Sequence, residues 1–215
     1  MAKNWKIRTD LSIEVCGHTL FRIECTQDFK EIKAGTLGGF IEKEENLDGD
    51  AWVSDDARVY GNAKVSDDAL VYGNARVYGN AWVCGDARVY GNAWVYDDAQ
   101  VCGDAWVCGD AQVCGDARVC GDAQVCGDAR VCGDKITNKD DICYISNRYY
   151  NITITPLHIK IGCQYHAQEA WWNFTDEQIG KMDGESALNF WKIWKEPLKQ
   201  ICDAMKKEKG EKDVK

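Results

Sequence analysis

From Val53 to Val131 a valine recurs at every sixth residue, each with an alanine two positions before it, and no residue is inserted or lost along the way. Ile41 and Leu47 continue the series upstream, giving sixteen hexads. So short and regular a period means stacked copies of one small unit rather than an ordinary globular core. Alanine and valine alternate about one variable residue, and residues i and i+2 of a strand share a face. The Gly-Asp, Gly-Asn or Asp-Asp pair that follows has the chemistry of a turn. A short strand and a corner, repeated, predict a prism-shaped parallel β-helix with three hexads per coil.

An 18-residue coil sorts the valines into three faces. The first carries Val53, Val71, Val89, Val107 and Val125, the second Val59, Val77, Val95, Val113 and Val131, and the third Val65, Val83, Val101 and Val119. Strand spacing of about 4.8 Å gives a rod on the order of 25 Å long. Each buried valine contributes roughly 1.5 kcal/mol or more, so neighbouring coils stabilise one another although none would fold alone.

The hexads resemble the hexapeptide-repeat family, with Val as its aliphatic residue and Ala as the small residue two before it. That resemblance, not the spacing, implies left-handed winding. Before the repeats, Arg22, Ile23, Asp28, Phe29, Lys33, Gly35, Gly38, Gly39, Phe40, Ile41, Glu42, Glu44, Asn46 and Leu47 make the chain similar to YdcK-like proteins of bacteria and phages. Members carry a transferase label that rests on the fold.

The expected class is therefore mainly β: a single-stranded left-handed parallel β-helix with an N-terminal β-hairpin cap and a small C-terminal α+β domain. Residues 1–40 form the cap, with Leu11–Val15 and Thr19–Cys25 as a hairpin turning at Cys16-Gly17-His18, and Gly35, Gly38 and Gly39 loosening the entry to the first coil. An open β-helix end would expose unpaired strand edges, so a cap is required. Residues 41–134 form the β-helix and 135–206 the α+β domain. Within that domain, residues 142–146, 150–155 and 158–163 read as strands, and Thr175-Asp-Glu-Gln178 as a capping box. Leu188, Trp191, Trp194, Leu198, Ile201 and Met205 fall on one face of a helix that Pro197 should kink. Residues 207–215 read as a disordered tail.

Charge narrows the function. Residues 41–134 hold 18 acidic and 7 basic side chains, a net of −11, while the remainder of the chain is +2. An acidic rod argues against direct binding to nucleic acid or to an anionic membrane, although its corner aspartates could imitate a nucleic-acid backbone. No apolar run reaches transmembrane or signal-peptide length, which points to the cytoplasm, that of the host if the chain is phage-encoded. Seven of the twelve cysteines (Cys84, Cys102, Cys108, Cys114, Cys120, Cys126, Cys132) follow a hexad valine, so their spacing belongs to the repeat. Free thiols are expected, because side chains on neighbouring parallel strands point the same way.

Acyl transfer, the commonest chemistry implied by the hexapeptide resemblance, needs a histidine base within reach of its substrate. His18, His158 and His166 all lie outside the coils. Cys143, His158, Cys163 and His166 form a sparse metal or Cys-His candidate set near Glu169. No catalytic residue and no cofactor is expected. What remains is binding, to a protein partner or a second copy of the chain, through outward aromatic and arginine side chains: Trp52, Arg58, Tyr60, Tyr72, Arg76, Tyr78, Arg88, Tyr90, Trp94, Tyr96 and Trp106. Stacking of the tyrosines to stabilise the sheet is the competing account. The expected role is a non-enzymatic binding or scaffold protein of phage or prophage type, with an acyltransferase as the alternative.

Overall fold

The computed structural model describes residues 3–212. They fall into two compact units that divide after Lys139, a few residues beyond the expected boundary at 134. The first unit is a β-solenoid. Arg58–Val59, Arg76–Val77, Trp94–Val95, Gln112–Cys114 and Arg130–Cys132 stack as parallel neighbours on the second face, and the other two faces each carry five strands. The register is i to i+18 throughout the repeats, as in Val77 with Val95 and Val95 with Val113. Every alanine and valine of the repeat is fully buried. The sequence missed one further rung: Lys135–Ile136 pairs with Arg118–Val119, with Ile136 taking the valine's place after a 17-residue step.

The corners explain the choice between Gly and Asp. Gly91 has φ +72°, and a Cβ there would stand 3.1 Å from the backbone nitrogen of Gly109 on the next coil. Where the pair is Asp-Asp, the first aspartate adopts the left-handed conformation itself, at Asp55, Asp67 and Asp97 (φ 57°, 60° and 59°). A short polar side chain tolerates that region. It also makes a bond that glycine cannot: the Gly73, Gly85 and Gly115 amides donate to Asp55, Asp67 and Asp97 Oδ2 at 3.0, 3.1 and 3.3 Å. In the second corner position, Asp98 and Asp110 accept instead from the side-chain amides of Asn80 and Asn92.

The cap extends the second face. β1 (Trp5–Val15) and β2 (His18–Cys25) form the hairpin, turning at Cys16 and Gly17, both at positive φ. β3 (Leu37–Ile41) pairs antiparallel with β2 on one side and parallel with Arg58–Val59 on the other. It thus converts the hairpin into the first rung. Gly38 and Gly39 are not there for looseness. A Cβ on Gly38 would lie 2.5 Å from Ile23 Cγ1 and Val53 O, and one on Gly39 would lie 2.7 Å from Ala57 O. These glycines mark where two backbones touch. Asn46, fully buried, closes the first coil: its amide donates to Ala63 O and Gly61 O, and its Oδ1 accepts from the Lys43 amide.

The cysteine expectation needs correction. Cys108–Cys126 and Cys114–Cys132 are disulfides, at Cα separations of 4.6 and 4.8 Å. The stacked register itself brings these pairs inside bonding range. Cys84, Cys102 and Cys120, stacked on the third face, are thiols, and burial pushes Cys84 up to about 11. Thiol titration of the unfolded chain should count 8 reactive groups without reductant and 12 with it. A count of 12 in both would remove the cross-links.

The second unit packs a four-stranded antiparallel sheet against helices. The strands are Cys143–Ile145, Ile152–Ile154, His158–Ile161 and Gln164–Ala167, the last unforeseen. Ile152, Ile154, Ile159 and Ile161 meet Trp171, Phe190, Trp191 and Leu198 in one core, so the amphipathic face does cover the strands. Helix α1 (Gln168–Asn173) leads to α2 (Asp176–Lys212). The capping box holds: the Gln178 amide donates to Thr175 Oγ1, and the Thr175 amide to Gln178 Oε1. Pro197 lies within α2, yet the break comes at Asp183 (φ −156°) and Gly184 (φ +60°). Helix also runs through Lys212, where the sequence pointed to a disordered tail from 207; residues 213–215 lie outside the described ones.

Candidate functional site

Side chains between alanine and valine, and directly after valine, point away from the solenoid core and stack coil upon coil. On the second face Tyr60, Tyr78 and Tyr96 form a ladder with centroid spacings of 5.1 and 5.2 Å and nearly parallel rings. Trp94 meets Tyr78 edge-on at 6.4 Å, and the Arg76 guanidinium lies over the Trp94 ring at 5.0 Å. Arg130 donates to the Tyr96 hydroxyl at 3.4 Å. The first face repeats the arrangement: Tyr72 stacks on Tyr90 at 4.9 Å, Trp106 meets Tyr90 edge-on, and Arg88 covers Trp106. In both cases an arginine covers the tryptophan eighteen residues ahead, against the tyrosine two residues after the arginine. Burial, followed by the proximity of Tyr60 and Tyr96, pushes the Tyr78 phenol up to about 12, so the central ring of the ladder is uncharged at neutral pH.

Two of the residues picked from sequence are not surface groups. Trp52 is buried, with Gly38 against it and Phe29 edge-on at 5.6 Å. Tyr60 is buried with Val15, Leu20 and Phe40 of the cap, and His18 tilts against its ring. Hexad spacing cannot show which rungs a cap covers. Arg58 keeps a half-buried place on the second face, and Arg76, Tyr78, Trp94, Tyr96, Tyr72 and Tyr90 are also half-buried, while Arg88 and Trp106 are exposed. The sequence reading passed over Trp82 on the third face, at 46% the most exposed tryptophan, whose indole donates to Ser66. Its slot in the hexad is that of Trp94 and Trp106, and the same rule would have found it.

The Cys-His set does not converge. His158 and His166 sit on adjacent strands but on opposite sheet faces, because His166 pairs with core-facing Ile159 while His158 stacks on Tyr165. His166 sits edge-on to Trp171 and Phe174 with Nε2 at Gln164 Oε1. Cys143 packs against the core, and burial raises its thiol, whereas Cys163 is exposed. His18, the histidine nearest the coils, has Nδ1 2.9 Å from Glu42 Oε1, and Glu42 also accepts from the Gly61 amide. These bonds outweigh burial and hold the Glu42 carboxyl below its usual range.

A family model, the YdcK β-solenoid repeat, matches residues 63–79, 69–85, 81–97 and 87–103. The chain is a YdcK-like β-solenoid repeat protein. The matched stretch holds Tyr72, Arg76, Tyr78, Arg88, Tyr90, Trp94 and Tyr96, so most of the aromatic surface lies on YdcK-like repeats. A search of curated proteins returns no match. No described helix is long and apolar enough to cross a membrane.

Proposed function

We propose that the solenoid is a non-enzymatic binding or scaffold protein of phage or prophage type, acting in the host cytoplasm and holding a protein partner on its second face. The observation that carries this reading is the Arg76–Trp94–Tyr78–Tyr96 array. Its rings are fixed by stacking before any partner arrives, so little side-chain entropy is lost on docking. Trp, Tyr and Arg are also the residues on which interface energy concentrates. The position of His18, His158 and His166 outside the coils favours binding over acyl transfer, since a general base must be able to reach its substrate.

Photo-crosslinking tests the face. A benzophenone side chain at Gln112, beside Trp94 on the second face, should trap a discrete protein from bacterial lysate, and one at Trp82 should not. Arg76→Ala with Tyr96→Ala should lower the trapped amount by at least about tenfold, equivalent to roughly 1.4 kcal/mol. Equal trapping at both positions, or product formed from acyl-coenzyme A and an acceptor amine, would defeat the proposal. If polyanions compete with trapping, the partner's cleft is one that recognises negative charge, as the corner aspartates would require.

A further inference from the structure

The unit beginning at Asp140 contains a cavity of about 230 Å³ that the solenoid reading leaves unused. Its walls are contributed by the sheet (Ile161), by α1 (Trp171), by α2 before its break (Ile179, Met182) and by α2 after it (Phe190, Trp191). The break creates the space. Gly184, at φ +60° with no atom near its missing Cβ, lets the chain turn so that both arms of α2 face one volume. Ala187 lines the cavity where any larger side chain would fill it. The aromatic walls hold one another: Tyr150 meets Phe190 edge-on at 4.9 Å, and Trp171 lies 5.3 Å from Trp191.

The lining is polar at one end only. There the Tyr150 hydroxyl donates to Asp183 Oδ2 at 2.6 Å, with Cys163 and Gln164 beside them. Asp183 is exposed and is the one charged side chain among the described lining residues, so it marks an open, negative mouth. Its hydrogen bond, with burial, pushes the Tyr150 phenol up to about 12, leaving that ring neutral. Lys195 lies over the Trp191 ring at 5.7 Å and does not line the cavity. A mostly apolar concavity with a few convergent polar groups is the general form of a small-molecule site, and this volume is below that of a drug-sized pocket.

We propose that this cavity binds a small aromatic amine, its one or two fused rings held among Trp171, Phe190 and Trp191 and its ammonium group at the Asp183 carboxylate. The ring replaces water against apolar walls, and the amine meets the Asp183 charge at the mouth. An uncharged ring lacks the second contact, and a carboxylate on the same ring meets repulsion.

Calorimetric titration of the full chain with tryptamine, indole and indole-3-acetate separates these contributions. Tryptamine should bind one to one in the submillimolar range, as suits a ligand of that size. Indole should bind about fivefold more weakly, and indole-3-acetate more weakly still. Ala187→Phe, which fills the cavity from within, should abolish binding of all three. Asp183→Asn should bring tryptamine down to the affinity of indole without changing indole itself, and this second variant decides the matter if Ala187→Phe alters the melting temperature. Absence of saturable heat for all three probes, undiminished binding in a folded Ala187→Phe variant, or indole-3-acetate binding as tightly as tryptamine would overturn the assignment.

Discussion

Asn46→Asp should destabilise the solenoid by about 4 kcal/mol or more at neutral pH, exceeding the roughly 3 kcal/mol expected for Asn46→Ala. The side chain is fully buried and serves three backbone groups, the Lys43 amide and the Gly61 and Ala63 carbonyls. Alanine leaves all three without that partner. Aspartate keeps the acceptor for Lys43 but turns a carboxylate oxygen toward two carbonyl oxygens in a buried place. Its folded pKa must therefore rise above the unfolded value of about 3.9. An acid with a raised folded pKa imposes no charge penalty below its unfolded pKa, and the penalty grows as pH climbs through the window between the two. The deficit of Asn46→Asp should shrink between pH 7 and pH 4, when each melt is compared with the parent at the same pH. That of Asn46→Ala should stay constant. Equal deficits for both variants at pH 7 would mean that water reaches the site.

Gly39→Ala should cost about 3 kcal/mol, by overpacking rather than by conformational strain. The new methyl would stand 2.7 Å from both Ala57 O and Val53 Cγ1 and 3.1 Å from Ser54 O. Neither oxygen can retreat easily. Ala57 O already accepts the Phe40 amide at 2.9 Å, the bond that joins β3 to the first complete coil. Gly35→Ala is the informative control: that residue has φ +84° but nothing within 4 Å of a Cβ, so only the left-handed penalty of about 1–2 kcal/mol applies. Urea midpoints of the two variants should therefore fall in the order Gly39→Ala well below Gly35→Ala. The same midpoint for both would show that the cap is not seated on the first rung.

These two sites show where the sequence was readable. Once three hexads are taken to make a coil, valines six apart fall on three faces, and the i to i+18 register from Ile41 to Val131 follows from their spacing. The same spacing shows nothing of what lies over a rung, and Trp52 and Tyr60 passed as surface residues until Phe29, Val15 and Leu20 were seen to cover them. Gly38 and Gly39 read as flexible because glycine has two uses, and only the coordinates separate free rotation from close approach. In the second unit local signals competed. Pro197 advertised a break, but the turn at Asp183 and Gly184, one of them at positive φ, made it elsewhere. The strand Gln164–Ala167 carries Gln, Tyr, His and Ala, too mixed a set to announce itself. The cavity it helps to frame depends on contacts far apart in sequence, and no motif could have located it.

The strict 18-residue register has a consequence for how such a chain can change length. Copying one hexad within the coils would hand every later side chain to the neighbouring face, breaking the tyrosine stacks and setting each arginine over a different ring. Copying three together would move the far end outward by one strand spacing, roughly 4.8 Å, and leave each face's pattern intact. Growth is therefore quantised: a gene built of near-identical hexads can slip at any of them, but only whole coils preserve what the surface presents.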